Sequence, residues 1–145
     1  MNYRNILSNI INAIVPTSTG TGKDMYSLVC DIIKDTAFNV GYPFMIFDDD
    51  LCVYCYTGEC WVKVPDWDLK VFLRDAYQKI SGNPSKGVGR DIVEGLFKQF
   101  PYTVMNFGVA QAQGKINFLN GTLDLGTRNV YQHSFTDYFR YVLPY

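Results

Sequence analysis

Three adjacent carboxylates, Asp48, Asp49 and Asp50, supply hard oxygen ligands of the kind magnesium takes. A small metal-dependent nuclease could be centred on them. Successive residues point in different directions, however, and two-metal nucleases gather carboxylates from separate elements, so a solvated turn is the reading expected here. Cys52, Cys55 and Cys60, with His133 as a distant fourth, make the count a zinc site accepts. In an alternating strand Cys52 and Cys55 fall on opposite faces, and a hairpin loop at Thr57-Gly58-Glu59 sets Cys60 across from Tyr56. No tetrahedron closes, and no metal is expected. His133 has no nucleophile or base beside it in the chain. Thr19-Gly20-Thr21-Gly22-Lys23 looks like a phosphate loop, but a Walker A sequence needs glycine and Ser/Thr where Thr17 and Asp24 stand.

The remaining chemistry is cationic. Lys70, Arg74, Lys79, Lys86, Arg90 and Lys98 flank the Gly/Pro-rich stretch 81–89, and Lys70 and Arg74, one helical turn apart, could straddle phosphates. Binding of this kind reads no bases and favours single-stranded or forked DNA where an exposed aromatic ring can stack. The net charge of −1 hides a polarised distribution. Residues 1–23 carry Arg4 and Lys23 and no acid; residues 24–68 carry nine acids against Lys34 and Lys63; the rest of the chain carries nine bases against five acids. A strongly basic cradle is excluded, while an anion-steering C-terminal part is not.

These residues need elements to hold them. The 145 residues suit one domain with a short appendage, and 48% apolar against 19% charged residues excludes a disordered chain. The 16% aromatic content exceeds the needs of a minimal core. Ile6, Leu7, Ile10, Ile11, Ile14 and Val15 mark a short amphipathic helix stopped by Pro16, and Thr17 to Gly22 reads as a linker, so residues 1–23 form a helix and flexible connection. Residues 24–145 form the main domain. A second helix begins near Asp24 and stops at Asn39 to Gly41. Extended segments follow at Phe44–Phe47, Leu51–Tyr56 and Cys60–Val64 as a meander. Asp66 caps a third helix running to Ile80, and a fourth runs from Arg90 to Phe100, where Pro101 stops it. Asn120-Gly121 suits a type I′ turn between Ile116–Leu119 and Thr122–Leu125. A last strand near Val130–His133 and an aromatic turn through Tyr138 complete an α+β plan of small antiparallel hairpins packed on about four helices. With no signal peptide and no apolar run of membrane-spanning length, a reducing cytoplasm and free thiols are expected.

Three stretches together resemble the domain that precedes the superfamily 3 helicase module in phage, plasmid and large DNA virus primase-helicases. They are Tyr56-Thr57-Gly58 with Cys60-Trp61-Val62-Lys63-Val64; residues 115–125 around Asn120-Gly121; and His133-Ser134, Asp137-Tyr138-Phe139 and Tyr141 to Tyr145. In this resemblance Gly58, Trp61, Asn120 and Gly121 are structural. It implies a noncatalytic role in DNA replication, with other helicase subunits as partners in an oligomer. ATP and magnesium would belong to an ATPase following Tyr145, so no catalytic residue carries over. The ending at Leu143-Pro144-Tyr145 reads as that of a piece of a longer protein.

Overall fold

Asn2 opens the first helix, its side chain accepting from the Asn5 N–H at 3.0 Å. The computed structural model describes residues 2–20, 22–82, 87–106 and 109–144, without the Lys23 side chain. The helices are α1 (Tyr3–Ala13), α2 (Lys23–Asn39), α3 (Asp66–Ser81) and α4 (Arg90–Thr103). Strands β1 (Phe44–Ile46), β2 (Val53–Tyr56) and β3 (Trp61–Lys63) form one antiparallel meander. A second comprises β4 (Lys115–Phe118), β5 (Gly121–Asp124) and β6 (Val130–Tyr131), followed by a 3₁₀ turn at Phe135–Asp137. The α+β architecture is as the sequence predicts.

The first meander is apolar on both faces. Phe44, Ile46, Val53 and Cys55 join the buried stripes of all four helices, among them Ile10, Val29, Leu73 and Leu96. Met45, Phe47, Tyr54, Tyr56 and Trp61 form a second cluster on the other face, covered by Val109, Phe135 and Tyr138. Every residue of β1 and β2 is therefore buried, a continuous run rather than an alternation. Trp61, only 2% exposed, donates from Nε1 to the Phe135 carbonyl at 2.9 Å and from its backbone N–H to Phe139 at 2.7 Å. The ring thereby pins the C-terminal segment over the sheet. Helix α1 packs its Ile6, Leu7 and Ile10 face into the main core, and the Thr17 N–H reaches the Ile80 carbonyl at 2.9 Å. Between α2 and α4 the backbones approach closely. A Cβ on Gly95 would lie 2.5 Å from the Tyr26 ring, so only glycine admits that ring.

Four local expectations are corrected. Pro65, not Asp66, occupies the N-cap of α3, because its fixed φ of −59° already presents its carbonyl to the Leu69 N–H at 2.9 Å. Asp66 is the first helical residue, where its charge complements the helix dipole. Helix α4 runs through Pro101 to Thr103. A proline this near the end removes one ladder bond, while the Val104 N–H still reaches Phe100 at 3.1 Å. In the first meander Tyr56 pairs with Trp61, so Cys60 faces Thr57, whose N–H donates to its carbonyl at 3.0 Å around Gly58 (φ +95°). The second hairpin pairs Phe118 with Gly121, leaving Leu119-Asn120 as the loop, neither with positive φ. Gly121 belongs to β5 at φ +144°, where a Cβ would meet the Tyr131 carbonyl oxygen at 2.6 Å and Val130 Cγ1 at 2.8 Å. Strand β6 crowds out any side chain there, which shifts the turn by one residue from the type I′ expectation.

The second meander is fastened through one buried amide. Asn117 is fully buried and donates from Nδ2 to the Glu59 and Tyr141 carbonyls, each at 2.8 Å. Its Oδ1 accepts from Thr122 Oγ1 at 3.2 Å and from His133 Nδ1 at 2.9 Å. The orientation is settled because both Nδ2 partners are carbonyl oxygens. Asn117→Ala should lower unfolding free energy by about 2–4 kcal/mol, because it strips partners from several buried groups at once. Urea denaturation measures this, and a loss below about 1 kcal/mol would show that the amide is not the fastening.

Candidate nucleic-acid interface

Helix spacing decides which cations meet. On α3, Trp67, Lys70, Val71 and Arg74 recur at three, four and seven residues and share one stripe. Arg90, Val93 and Glu94, three and four residues apart, share a stripe on α4. The two stripes, with Val88, line an open cleft of about 400 Å³. Among the described residues its lining combines Val71, Val88 and Val93 with Lys70, Arg74 and Arg90 and one carboxylate, Glu94. Three of the six sequence-predicted cations are thus brought together.

Their roles differ. Lys70 Nζ lies 3.1 Å from Glu94 Oε1 and 4.8 Å from the centre of the Phe97 ring, so it ties α3 to α4 across the cleft. Arg74 leans on its neighbour Asp75, with Nε and Nη2 each 3.0 Å from Oδ1. Such an exposed pair is worth about 0–1 kcal/mol and yields readily to a phosphate. Arg90 is exposed and has no ion pair among the described residues. Lys79 lies on the other side of α3, beside Ile11, Pro16 and Gly82. Lys98 is exposed on α4 beyond the cleft lining. Lys86 lies outside the described residues. Trp67, which sequence reading passed over, is 74% exposed and lines the cleft. Its signal was present in the spacing to Lys70 and Arg74.

The other candidate groups are dispersed. Asp49 is held by Arg140 through two bonds of 2.9 and 2.8 Å, and the Arg140 guanidinium also sits 4.2 Å from the Phe47 ring centre. Those hydrogen bonds hold the Asp49 carboxyl below its ordinary range. Asp50 accepts from the Tyr54 hydroxyl and from the Cys52 N–H. Asp49 and Asp50 thus turn toward different partners while Asp48 is exposed, and among the described residues no group of three or more His, Cys, Asp or Glu is placed to hold a metal. His133 is taken up by Asn117 and, through Nε2 at 3.1 Å, by the Leu119 carbonyl. The glycine-rich stretch before α2 follows a helix rather than a strand, and Thr21 and the Lys23 side chain are outside the described residues. Gly58 and Trp61 shape the first meander, and Asn120 and Gly121 the second, all away from the cleft lining.

No family model, curated protein or solved structure matches the chain.

Two outcomes follow from this geometry. Burial pushes the Cys30 and Cys55 thiols up to about 12 each, so both stay protonated at pH 8. Alkylation mapped by peptide mass spectrometry should reach half-buried Cys52 in the native protein and Cys30 and Cys55 only after unfolding. Native labelling of Cys55 at the rate of Cys52 would contradict the two-sided burial of the sheet. The Asp49–Arg140 pair has a lowered carboxyl pKa, so it stabilises above the unfolded value of about 4 and fades as pH falls through the lowered folded value. The stability gap between wild type and Asp49→Asn, followed by urea unfolding, should therefore narrow in acid.

Proposed function

We propose that this chain is a noncatalytic module that holds single-stranded or forked DNA in the α3–α4 cleft while a neighbouring ATPase does the mechanical work. The observation that carries the reading is the convergence of Lys70, Arg74 and Arg90 on one cleft lined also by valines and, among the described residues, by a single carboxylate. Phosphates suit it, because Arg74 and Arg90 offer guanidinium N–H groups that an exposed or absent ion pair leaves accessible. The engagement of Asp49 and Asp50 by separate partners favours this over the nuclease reading. A primase-helicase setting rests on the resemblance of the Gly58–Trp61 hairpin and the residues around Asn120-Gly121 to the domain preceding superfamily 3 helicase modules. In that setting ATP and magnesium belong to the neighbour, and other helicase subunits are the protein partners. Free thiols favour the cytoplasm. Among the described residues no helix is long and apolar enough to cross a membrane.

Fluorescence anisotropy with a labelled single strand, a fork and a matched duplex at several salt concentrations tests the reading. Affinity should fall linearly in log salt, and Arg74→Ala with Arg90→Ala should flatten the single-strand slope by about 1.4 units, or about 0.7 per phosphate contact. Lys79→Ala should leave it unchanged. Glu94→Gln should strengthen binding, since it removes the cleft's one negative charge and frees Lys70. Unchanged binding in the double arginine variant would remove the cleft from the site. No binding by wild type at low salt would leave subunit assembly as the function.

A further inference from the structure

The two tryptophans of this chain have opposite fates. Trp61 is sealed between the meander and the C-terminal segment, whereas Trp67 stands 74% exposed on the first turn of α3. An indole is among the largest apolar surfaces a side chain offers, and here it adjoins a cleft rich in cations. We propose that Trp67 is a stacking platform for an unpaired DNA base, so that the cleft takes a nucleotide as a unit, base on the indole and phosphate between the arginines. This deepens the single-strand reading above and rests on it.

Geometry supports the division of labour. Trp67 and Arg74 are seven residues apart on one stripe, roughly 10 Å along the helix axis. That span is comparable with the reach from a nucleobase to the phosphates on either side of its sugar. Arg90 faces them from α4, and Lys70 with Glu94 fixes the separation of the helices between. A cleft of about 400 Å³ lies at the low end of the roughly 300–1,000 Å³ of small-ligand sites, room for one nucleotide. A base paired in a duplex has its faces covered by neighbours, so a platform of this kind selects unpaired bases of any sequence. Charge complementarity assigns the occupant: Arg90, with no ion pair among the described residues, and Arg74, held by an exposed pair with Asp75, beside an exposed indole suit a polyanion with aromatic faces.

Trp67 also supplies its own probe, because its exposed indole is quenched by a stacked base while Trp61 is shielded. Full-length protein is titrated with a thymidine oligonucleotide and with an abasic phosphodiester strand of equal length. Tryptophan emission is read in both titrations, alongside anisotropy. The thymidine strand should quench emission and bind about tenfold tighter than the abasic strand, within what one base–aromatic stack carries. Trp67→Ala should bring thymidine binding down to the abasic level, leave abasic binding and the thermal midpoint unchanged, and abolish the quench. Trp67→Phe should retain most of the affinity. Equal binding of the two strands by wild type, or thymidine affinity unchanged in Trp67→Ala, would overturn the stacking role while leaving phosphate binding by Arg74 and Arg90 intact. Absence of binding to either strand would overturn both readings.

Discussion

A three-stranded meander that is apolar on both faces must be covered twice, and most of this structure answers that requirement. Phe44, Ile46, Val53 and Cys55 demand a helical layer; Met45, Phe47, Tyr54, Tyr56 and Trp61 demand a second cover. Each large side chain among them contributes about 1.5–3 kcal/mol only when enclosed. One face draws α2, α3 and α4 into place, and their packing brings the α3 and α4 stripes edge to edge. The cleft is thus a by-product of covering the sheet, positioned by core residues that never touch a ligand. Its helices are fixed by burial on their inner sides and by the Lys70–Glu94 pair at the rim. On the proposed reading a strand would meet a preformed surface and pay little reorganisation entropy.

The second cover is less apolar and relies on directional bonds. Phe135 and Tyr138 lie on Trp61, but the chain that carries them is held by the Trp61 indole N–H, by the Asp49–Arg140 pair and by the Asn117 amide. Asn117 joins three parts of the chain at once: the first meander through Glu59, its own sheet through Thr122, and the C-terminal segment through Tyr141 and His133. Burying that amide is tolerable because its donors and acceptor are satisfied, and an unsatisfied one would cost several kcal/mol. The leucines, valine and tyrosine exposed on the second meander, Leu119, Leu125, Val130 and Tyr131, show that this sheet buries less than the first. Bonding rather than burial sets its position.

Helix periodicity made α1 to α4 legible, and β-branched and aromatic runs did the same for the first meander. What escaped was whatever depended on distant neighbours. The Asn120-Gly121 pair has the chemistry of a type I′ turn, yet the approach of β6 makes Gly121 a strand residue. Pro101 has the chemistry of a stop, yet a proline in the last turn forfeits only one bond. Asn117 sits in a strand where asparagine is disfavoured, and nothing local distinguishes it from a surface position. The cations were legible as a group but not as a surface: the 3.6-residue period separates Lys79 from Lys70 and Arg74, while joining Arg90 to them required the packing of α3 on α4. Trp67 shared the spacing of Lys70 and Arg74, but in a chain rich in aromatics that spacing alone does not separate an exposed ring from a core one.

The charge polarity of the chain resolves differently in three dimensions than along the sequence. Much of the acidic stretch is engaged at short range, Asp49 by Arg140, Asp50 by Tyr54 and Cys52, and Asp68 by Tyr3 and Arg4. The basic half is also partly consumed, since Lys70, Lys115 and Arg140 are paired and Arg74 leans on exposed Asp75. What remains at the cleft is a small positive excess from Arg90, whose charge has no ion pair among the described residues, together with Arg74 on its exposed pair, beside apolar Val71, Val88 and Val93. Two accessible guanidinium groups cannot hold a polyanion tightly at physiological ionic strength, where exposed charges more than about 8 Å apart are screened from one another. On the single-strand reading proposed above, a module built this way would register a strand rather than sequester it, and useful occupancy would come from several copies, or a neighbour, engaging the same strand.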